Sequence, residues 1–434
     1  MSFQQGLSGL NASAKNLDVI GNNIANASTV GFKGSQAQFA DVYAASLSGA
    51  GANSVGIGTK LAAVAQQFSQ GNISTTNNPL DVAINGTGLF RMSNNGAISY
   101  TRNGQFQMNK DGFIVGNTGF HLTGYQALED GTITGNLGDL KINTADIEPN
   151  ATTRMDITAA NLDSRKTAPT GIMPAALLAV VPATTPPTYV PPDPTMYNDS
   201  TSVTIYDSLG NDHVATLYFA KADVPAINTW HAYMVVDGGE NTGGTVFQLD
   251  DLEFDTNGKM TAPAGPPLGM NSTPIQPWAG QTVDWDTTQE ITHYFGGVAQ
   301  YGSNFGITTQ TQDGFASGRL SGFNIDPEGF IQGRYTNGKT KTMGQIAVAN
   351  FANLQGLKPL GGNQWVESPE SGQAVVGKPG SGSMGVLQSA SVEDSNTDLT
   401  QELVGMITAQ RVYQANAQTI KTQDQVLQTL VNLR

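Results

Sequence analysis

Between residues 399 and 434, alternating steps of four and three meet Leu399, Leu403, Met406, Gln410, Tyr413, Ala417, Ile420, Asp424, Leu427 and Val431. All but Gln410 and Asp424 are apolar or aromatic. A mean spacing of 3.5 residues is the seam of a coiled coil. Only Gly405 interrupts the run, so the pattern predicts one helix, roughly 50 Å long at about 1.5 Å per residue. Ser395 or Asn396 is placed to accept from its first free N–H groups. Asp394, Asp398 and Glu402 lie where the helix dipole favours negative charge. A one-sided seam needs a partner. Phe3, Leu7, Leu10, Ala14, Leu17, Gly21 and Ile24 repeat the same step at the other end of the chain. The two ends are therefore expected to pair as a coiled coil, with everything between them inserted. The alternative is two ordinary amphipathic surface helices. Asn22, Asn23 and Asn26, then Gly31 and Phe32, mark the exit from the first helix, where the Asn side chains can bond exposed backbone. Gln410 and Asp424 either set register within the seam or face water.

Inside these helices the period falls to two. Residues 33–70 are mixed: Phe39, Val42, Tyr43 and Leu47 suit a short helix, but Gly49, Gly51, Gly56 and Gly58 break it, so an extended linker is expected. From 71 to 163, short strands alternate with turn residues. Asp81 to Ile84 precedes the hairpin signal Asn85 and Gly86, and Leu89 to Met92 closes at Asn94, Asn95 and Gly96. Phe106 to Met108 turns at Asn109 to Gly112 into Phe113 to Val115. Prolines crowd 164–198, which stiffens the chain and precludes regular structure. Further strands follow at Val203 to Tyr206, His213 to Phe219 and Trp230 to Val236. From 318 the first type of pattern returns, with a hairpin at Asn337 and Gly338. The predicted fold class is multidomain α+β: paired terminal helices around two nested, mainly β domains. The expected boundaries are 1–32 with 388–434 for the helices, 33–70 for the linker, 71–163 with 318–387 for the first β domain, and 164–317 for an inserted outer β domain with a Pro-rich entry. The geometry of 167–194 and 262–280 is not predicted.

Composition narrows the function. Of 434 residues only 13% are charged, and Gly is abundant at 51, which suits turn-rich β domains with uncharged polar surfaces. The net charge is −14 and no basic run exists, so nucleic acid is not an expected partner. The absence of Cys excludes disulfides and thiolate metal sites. The longest apolar run, Ala175 to Val181, is too short for a membrane span. No cleaved signal peptide is visible, so the protein is expected to stay in the cytosol or to leave by a route that needs none.

No catalytic, cofactor or metal constellation is legible. His121, His213, His231 and His293 are far apart and lack ligand spacing. Asp250, Asp251 and Glu253 read as a solvated strand end rather than acid–base carboxylates. Asn109 to Gly112 lacks the spaced ligands of a calcium loop, and Gly56 with Gly58 is too little for a phosphate loop.

Two long motifs supply a resemblance. Leu7 to Leu10, Leu17 to Asn26 (LDVIGNNIAN) and Thr29 to Lys33 (TVGFK) resemble the N-terminal signature of the bacterial flagellar rod, hook and hook-associated proteins. Leu399 to Leu403 (LTQEL) and Ala409 to Asn416 (AQRVYQAN), continuing through Ile420 and Asp424, resemble their C-terminal signature. Asp81 to Phe90 and Tyr100 to Gly104 are similar to the family's shared β domain. Tyr206 to Gly210, Tyr218 to Lys221, Asp237, Gly238 and Ala349 to Asn353 are similar to hook members, whereas distal rod members are shorter and lack a large insert. The resemblance implies a helical homopolymer, a flexible tube outside the cell that joins rod to filament. It implies terminal helices lining a channel, with Gln410 and Asp424 facing the pore. The implied partners are the rod protein, the hook–filament junction protein, the hook cap and the flagellar type III export apparatus. A distal rod or junction protein, or a secreted β-rich binding module, are the alternatives.

Overall fold

The computed structural model describes residues 2–42, 56–174, 191–223, 228–238, 246–249, 251–262, 270–271 and 291–432. The fold is mostly β, with helix α1 at Ser2–Ala25 and helix α2 at Leu399–Asn432. Two compact units divide the chain: residues 1–144, 321–334 and 340–434, and residues 145–320 with 335–339. Most of the Pro-rich entry and of 262–280, together with Tyr43, Leu47, Gly49, Gly51, Asp250 and the run Ala175 to Val181, lies outside the described residues.

In the first unit, α1 packs along α2 and against a two-stranded ribbon, β1 (Ser35–Val42) and β2 (Gly58–Gln66). The ribbon corrects the expected linker. Its strands pair antiparallel from Ser35 with Gln66 to Val42 with Gly58, around a bulge at Gln38 and Phe39. Gly58 is there for close approach, not as a breaker: its φ is +138°, and a Cβ would meet Ser8 Oγ of α1 at 2.0 Å. The cap of α2 is also corrected. Asp398 Oδ1 accepts from the N–H groups of Thr400 and Gln401, while Ser395 and Asn396 bond elsewhere.

The large antiparallel sheet of this unit runs through Thr340–Ile346, His121–Ala127, Leu89–Asn94, Ala97–Thr101, Gln364–Val366 and Lys358–Gly361. Asn95 and Gly96 form the expected hairpin, both at positive φ. Phe106–Met108 and Ile114–Gly116 likewise pair across their turn. Asn85 and Gly86, however, close no hairpin. Val82–Asn85 pairs with Val386–Ser389, and Ile73–Thr75 pairs with Ser391–Glu393. Val82, Ala83 and Ile84 are wholly buried. A strand buried on both faces takes whichever edge completes the core, and local turn chemistry does not decide it.

The second unit is two sheets sharing one core. Asp199–Tyr206, Asp212–Lys221, Thr229–Val236, Leu252–Phe254 and Met260–Ala262 form one sheet in that order. In the other, Arg154–Asp163 pairs antiparallel with Gly306–Gln312 and parallel with Thr292–Tyr294 and Val298–Tyr301. Met155, Ile157 and Leu162 pack with Leu217, Phe219 and Trp230. Arg154–Asp163 thus belongs to this unit rather than to the preceding domain, because its inward side chains complete this core.

Gly104 yields a test of the nested strand pairing. A Cβ there would meet the carbonyl oxygen of Val82 at 1.7 Å, beside the strand that pairs with Val386–Ser389. Gly104→Ala should destabilise the first unit by about 2–3 kcal/mol. Gly135→Ala, whose Cβ meets nothing within 4 Å, should be nearly neutral. Urea unfolding of both full-length variants measures the difference.

Candidate assembly site

The contact face between the helices is built from small residues. A Cβ on Gly6 would meet Ile420 Cγ1 at 3.1 Å, one on Gly9 would meet Asn416 Nδ2 at 2.8 Å, and Gly405 lies 3.7 Å by the same measure from Ile20 Cδ1. Ser13, Ile20 and Ala409 are buried on this face. Glycine lets two helix backbones approach closely, so the contact tracks Gly6, Gly9 and Gly405 rather than the largest side chains.

That face corrects the expected intramolecular seam. Of the predicted seam residues, Ile420 reaches α1, and Leu10, Leu17, Ile24 and Met406 are half-buried. Phe3, Leu7, Leu399, Leu403, Tyr413 and Leu427 are exposed. The side chain of Val431 lies outside the described residues. Val404, Ile407, Val412 and Val426, off the predicted line, are exposed too. Along the same helices runs a groove of about 730 Å³, lined by Ala12, Ile20, Phe39, Val404, Ala409 and Val412 among others. Gln410 and Asp424 are exposed, and Asp424 Oδ2 accepts from Gln428 Nε2 at 3.0 Å.

The helix exit is a bonded joint. Asn23 is buried and donates to Ser35 O at 2.8 Å and to Glu402 Oε1 of α2 at 2.9 Å, while its Oδ1 accepts from Ser35 N–H. Asn26 donates to Asn22 O and Oδ1, closing the last turn of α1. Gly31, at φ +70°, donates its N–H to Glu393 O at 2.7 Å, and a Cβ there would meet Asn103 N at 2.6 Å. Phe32 is buried. Asn396 accepts from Gly34 N–H and donates to Gln67 O, linking the approach to α2 with both sides of the ribbon.

Beneath this joint lies an ion cluster that the pattern analysis did not single out. Glu393 is fully buried, with Lys33 Nζ at 2.6 Å from Oε1 and Arg102 Nε at 2.5 Å from Oε2; the cations are 2% and 5% exposed. Gly71 N–H also donates to Oε1 at 2.8 Å. The remaining bonds of Arg102 go to the carbonyls of Ile84, Gly86 and Gly88. Burial by itself pushes the Glu393 carboxyl up, but Arg102, Lys33 and their hydrogen bonds outweigh it and hold it below its ordinary value. The available signal was scarcity. In a chain with so few charges, a Lys behind Val30 to Phe32 and a Glu behind Val392 stand in apolar surroundings.

The four histidines do not converge. His121 pairs with Asp139, His213 with Asp237 and His231 with Asp251, each at 2.6–2.8 Å. Burial lowers His293 to about 4. Among the described residues, no group of three or more His, Asp or Glu is placed to hold a metal, and no helix is long and apolar enough to cross a membrane.

Terminal helices tied at their base to a β domain, with a second β unit between, are the features of a flagellar axial protein. Residues 3–33 match the flagella basal body rod protein family and 388–433 the C-terminal family of basal body rod proteins. Residues 83–160 match the flagellar hook protein D1 domain, and 161–315 the flagellar basal body protein FlaE D2 domain. The flagellar hook proteins FlgE of Escherichia coli K12 and Salmonella typhimurium LT2 are each 38% identical to this chain, over the whole of both sequences. The fold is shared with the crystal structure of Helicobacter pylori flagellar hook protein FlgE2, at a TM-score of 0.52 and 14% identity, covering 74% of this chain and all of that one. The chain belongs to the flagellar hook protein family, as a structural subunit.

The ion cluster predicts acid sensitivity. An unfolded chain protonates Glu393 near the ordinary value of about 4.3, whereas the folded chain resists until lower pH. Its stabilisation is therefore complete above that value and is lost as pH falls through the depressed folded value. Glu393→Ala should cost about 3–5 kcal/mol at neutral pH by leaving two buried cations uncompensated. Glu393→Gln should flatten the loss of stability between neutral and acid pH, as read by urea unfolding across that range.

Proposed function

We propose that the chain polymerises with copies of itself into a flexible tube, in which α1 and α2 pair as a coiled coil and line the central channel. The observation that carries this reading is the exposed apolar surface of the helices. Leu403 is 45% exposed, Val404 60% and Ile407 51%, and Phe3, Leu7 and Leu427 are of the same kind. A contiguous apolar face of this extent marks an interaction surface. The small-residue contact between α1 and α2 leaves it free for neighbouring copies.

On this reading 1–32 and 388–434 form the inner tube, the β part of the first unit a middle layer, and the second unit, 145–320 with 335–339, the outward domain. The few charges and the many Gly, Asn, Thr and Ser residues suit wet outer contacts that exchange cheaply as the tube bends and transmits torque. The rod protein stands at one end and the hook–filament junction protein at the other. The hook cap and the type III export apparatus act during assembly, and export proceeds without a cleaved signal, placing the subunit in the extracellular part of the flagellum. Gln410 and Asp424 face the channel water.

Burying a Leu or Ile side chain contributes about 1.5–3 kcal/mol, and each 1.4 kcal/mol is about tenfold in affinity. Leu403→Gln with Ile407→Gln should therefore raise the critical concentration for polymerisation at least tenfold while leaving the thermal midpoint of the monomer unchanged. Sedimentation and negative-stain microscopy measure the first effect, and calorimetry the second. Normal tubes from this variant would sink the proposal.

A further inference from the structure

The cluster beneath the helix exit is not electrically balanced. Lys33 and Arg102 contribute two positive charges and Glu393 one negative, which leaves one buried positive charge. Among the described residues no other carboxylate pairs with either cation. The donors are not exhausted either. An ammonium has three N–H groups and a guanidinium five. Lys33 donates to Ser69 O and Glu393, and Arg102 donates once from Nε, once from Nη1 and twice from Nη2. One N–H on each cation is left without an acceptor among the described residues.

Both cations border a cavity of about 290 Å³. Gln70 adds a polar group to its lining, and Phe68, Leu89 and Leu354 give it an apolar wall. Burial pushes the Lys33 ammonium down, Glu393 offsets this only in part, and the charge of Arg102 adds to the fall. An anion in the cavity would remove that penalty, because uncompensated buried charge is costly.

We propose that this cavity is a binding site for a carboxylate with a short apolar tail, which accepts from Lys33 and Arg102 and rests its carbons on Phe68, Leu89 and Leu354. Two sources share this chemistry: a free small organic acid, and an Asp or Glu side chain of a second copy. The chain carries 35 acidic residues against 21 basic ones, so a second copy offers carboxylates in excess. The site is separate from the apolar helix faces and does not depend on them.

Acetate is the probe. Sodium acetate replaces sodium fluoride at constant ionic strength in solutions of the full-length protein. The thermal midpoint should rise and saturate as a single site fills, and saturation-transfer NMR should show magnetisation passing to the acetate methyl. Leu354→Trp fills the cavity without touching the ion cluster, so it should keep the acetate-free midpoint and lose both responses. Acetate that also inhibits polymerisation at the saturating concentration assigns the site to a second copy's acidic side chain. Polymerisation indifferent to acetate assigns it to a free acid. A wild-type protein with neither a saturable rise nor methyl transfer overturns the proposal, as does a Leu354→Trp variant that retains them.

Discussion

A single buried carboxylate holds the first unit together. Glu393 lies 360 residues from Lys33 and 291 from Arg102 in sequence, yet it bonds both. A carboxylate without water must find its partners inside the fold, and removing it would strand two cations in low dielectric. The geometry around it is correspondingly over-determined. Gly31 and Gly71 donate backbone N–H groups to Glu393, and Arg102 gathers the carbonyls of Ile84, Gly86 and Gly88. The exit of α1, the strand before α2 and the large sheet therefore meet at one point.

Everything the helices do follows from that anchorage. Their own contact is close and runs past small residues, Gly6, Gly9, Ser13, Gly405 and Ala409, with Asn23 and Glu402 bonded near the base. A dry Leu-to-Leu seam within one chain would have spent the apolar side chains internally. Here the glycines set the close approach, and the largest side chains stay outside. A subunit built to assemble needs this asymmetry: enough internal contact to define the hairpin, and enough apolar surface outside to reward a neighbour. The second unit follows the opposite rule. Trp230, Phe219 and Leu217 are sealed between its own two sheets, so its core closes without help from the helices.

The sequence alone determined the two terminal helices, the β-rich interior and the nested order. These follow from local period, from turn residues such as Asn95 and Gly96, and from motif identity at both ends. Asn23 was legible as a helix-exit residue because side-chain amides commonly bond freed backbone there. Only the tertiary structure decided which strand Val82–Asn85 joins, that Gly58 serves contact with Ser8, that Asp398 caps α2, and that Glu393 faces Lys33 and Arg102. For the strand, Gly58 and Glu393 the physical reason is the same: each depends on a partner that sequence separation does not specify, and a periodicity reports which face of an element is apolar without saying what covers it. The cap is a local contest instead, since Asp398 accepts from N–H groups two and three residues on while Ser395 and Asn396 bond elsewhere. The 3.5-residue step in α2 is the clearest instance: it marks Leu403 and Leu427 as destined for burial, while the fold of one chain leaves them exposed.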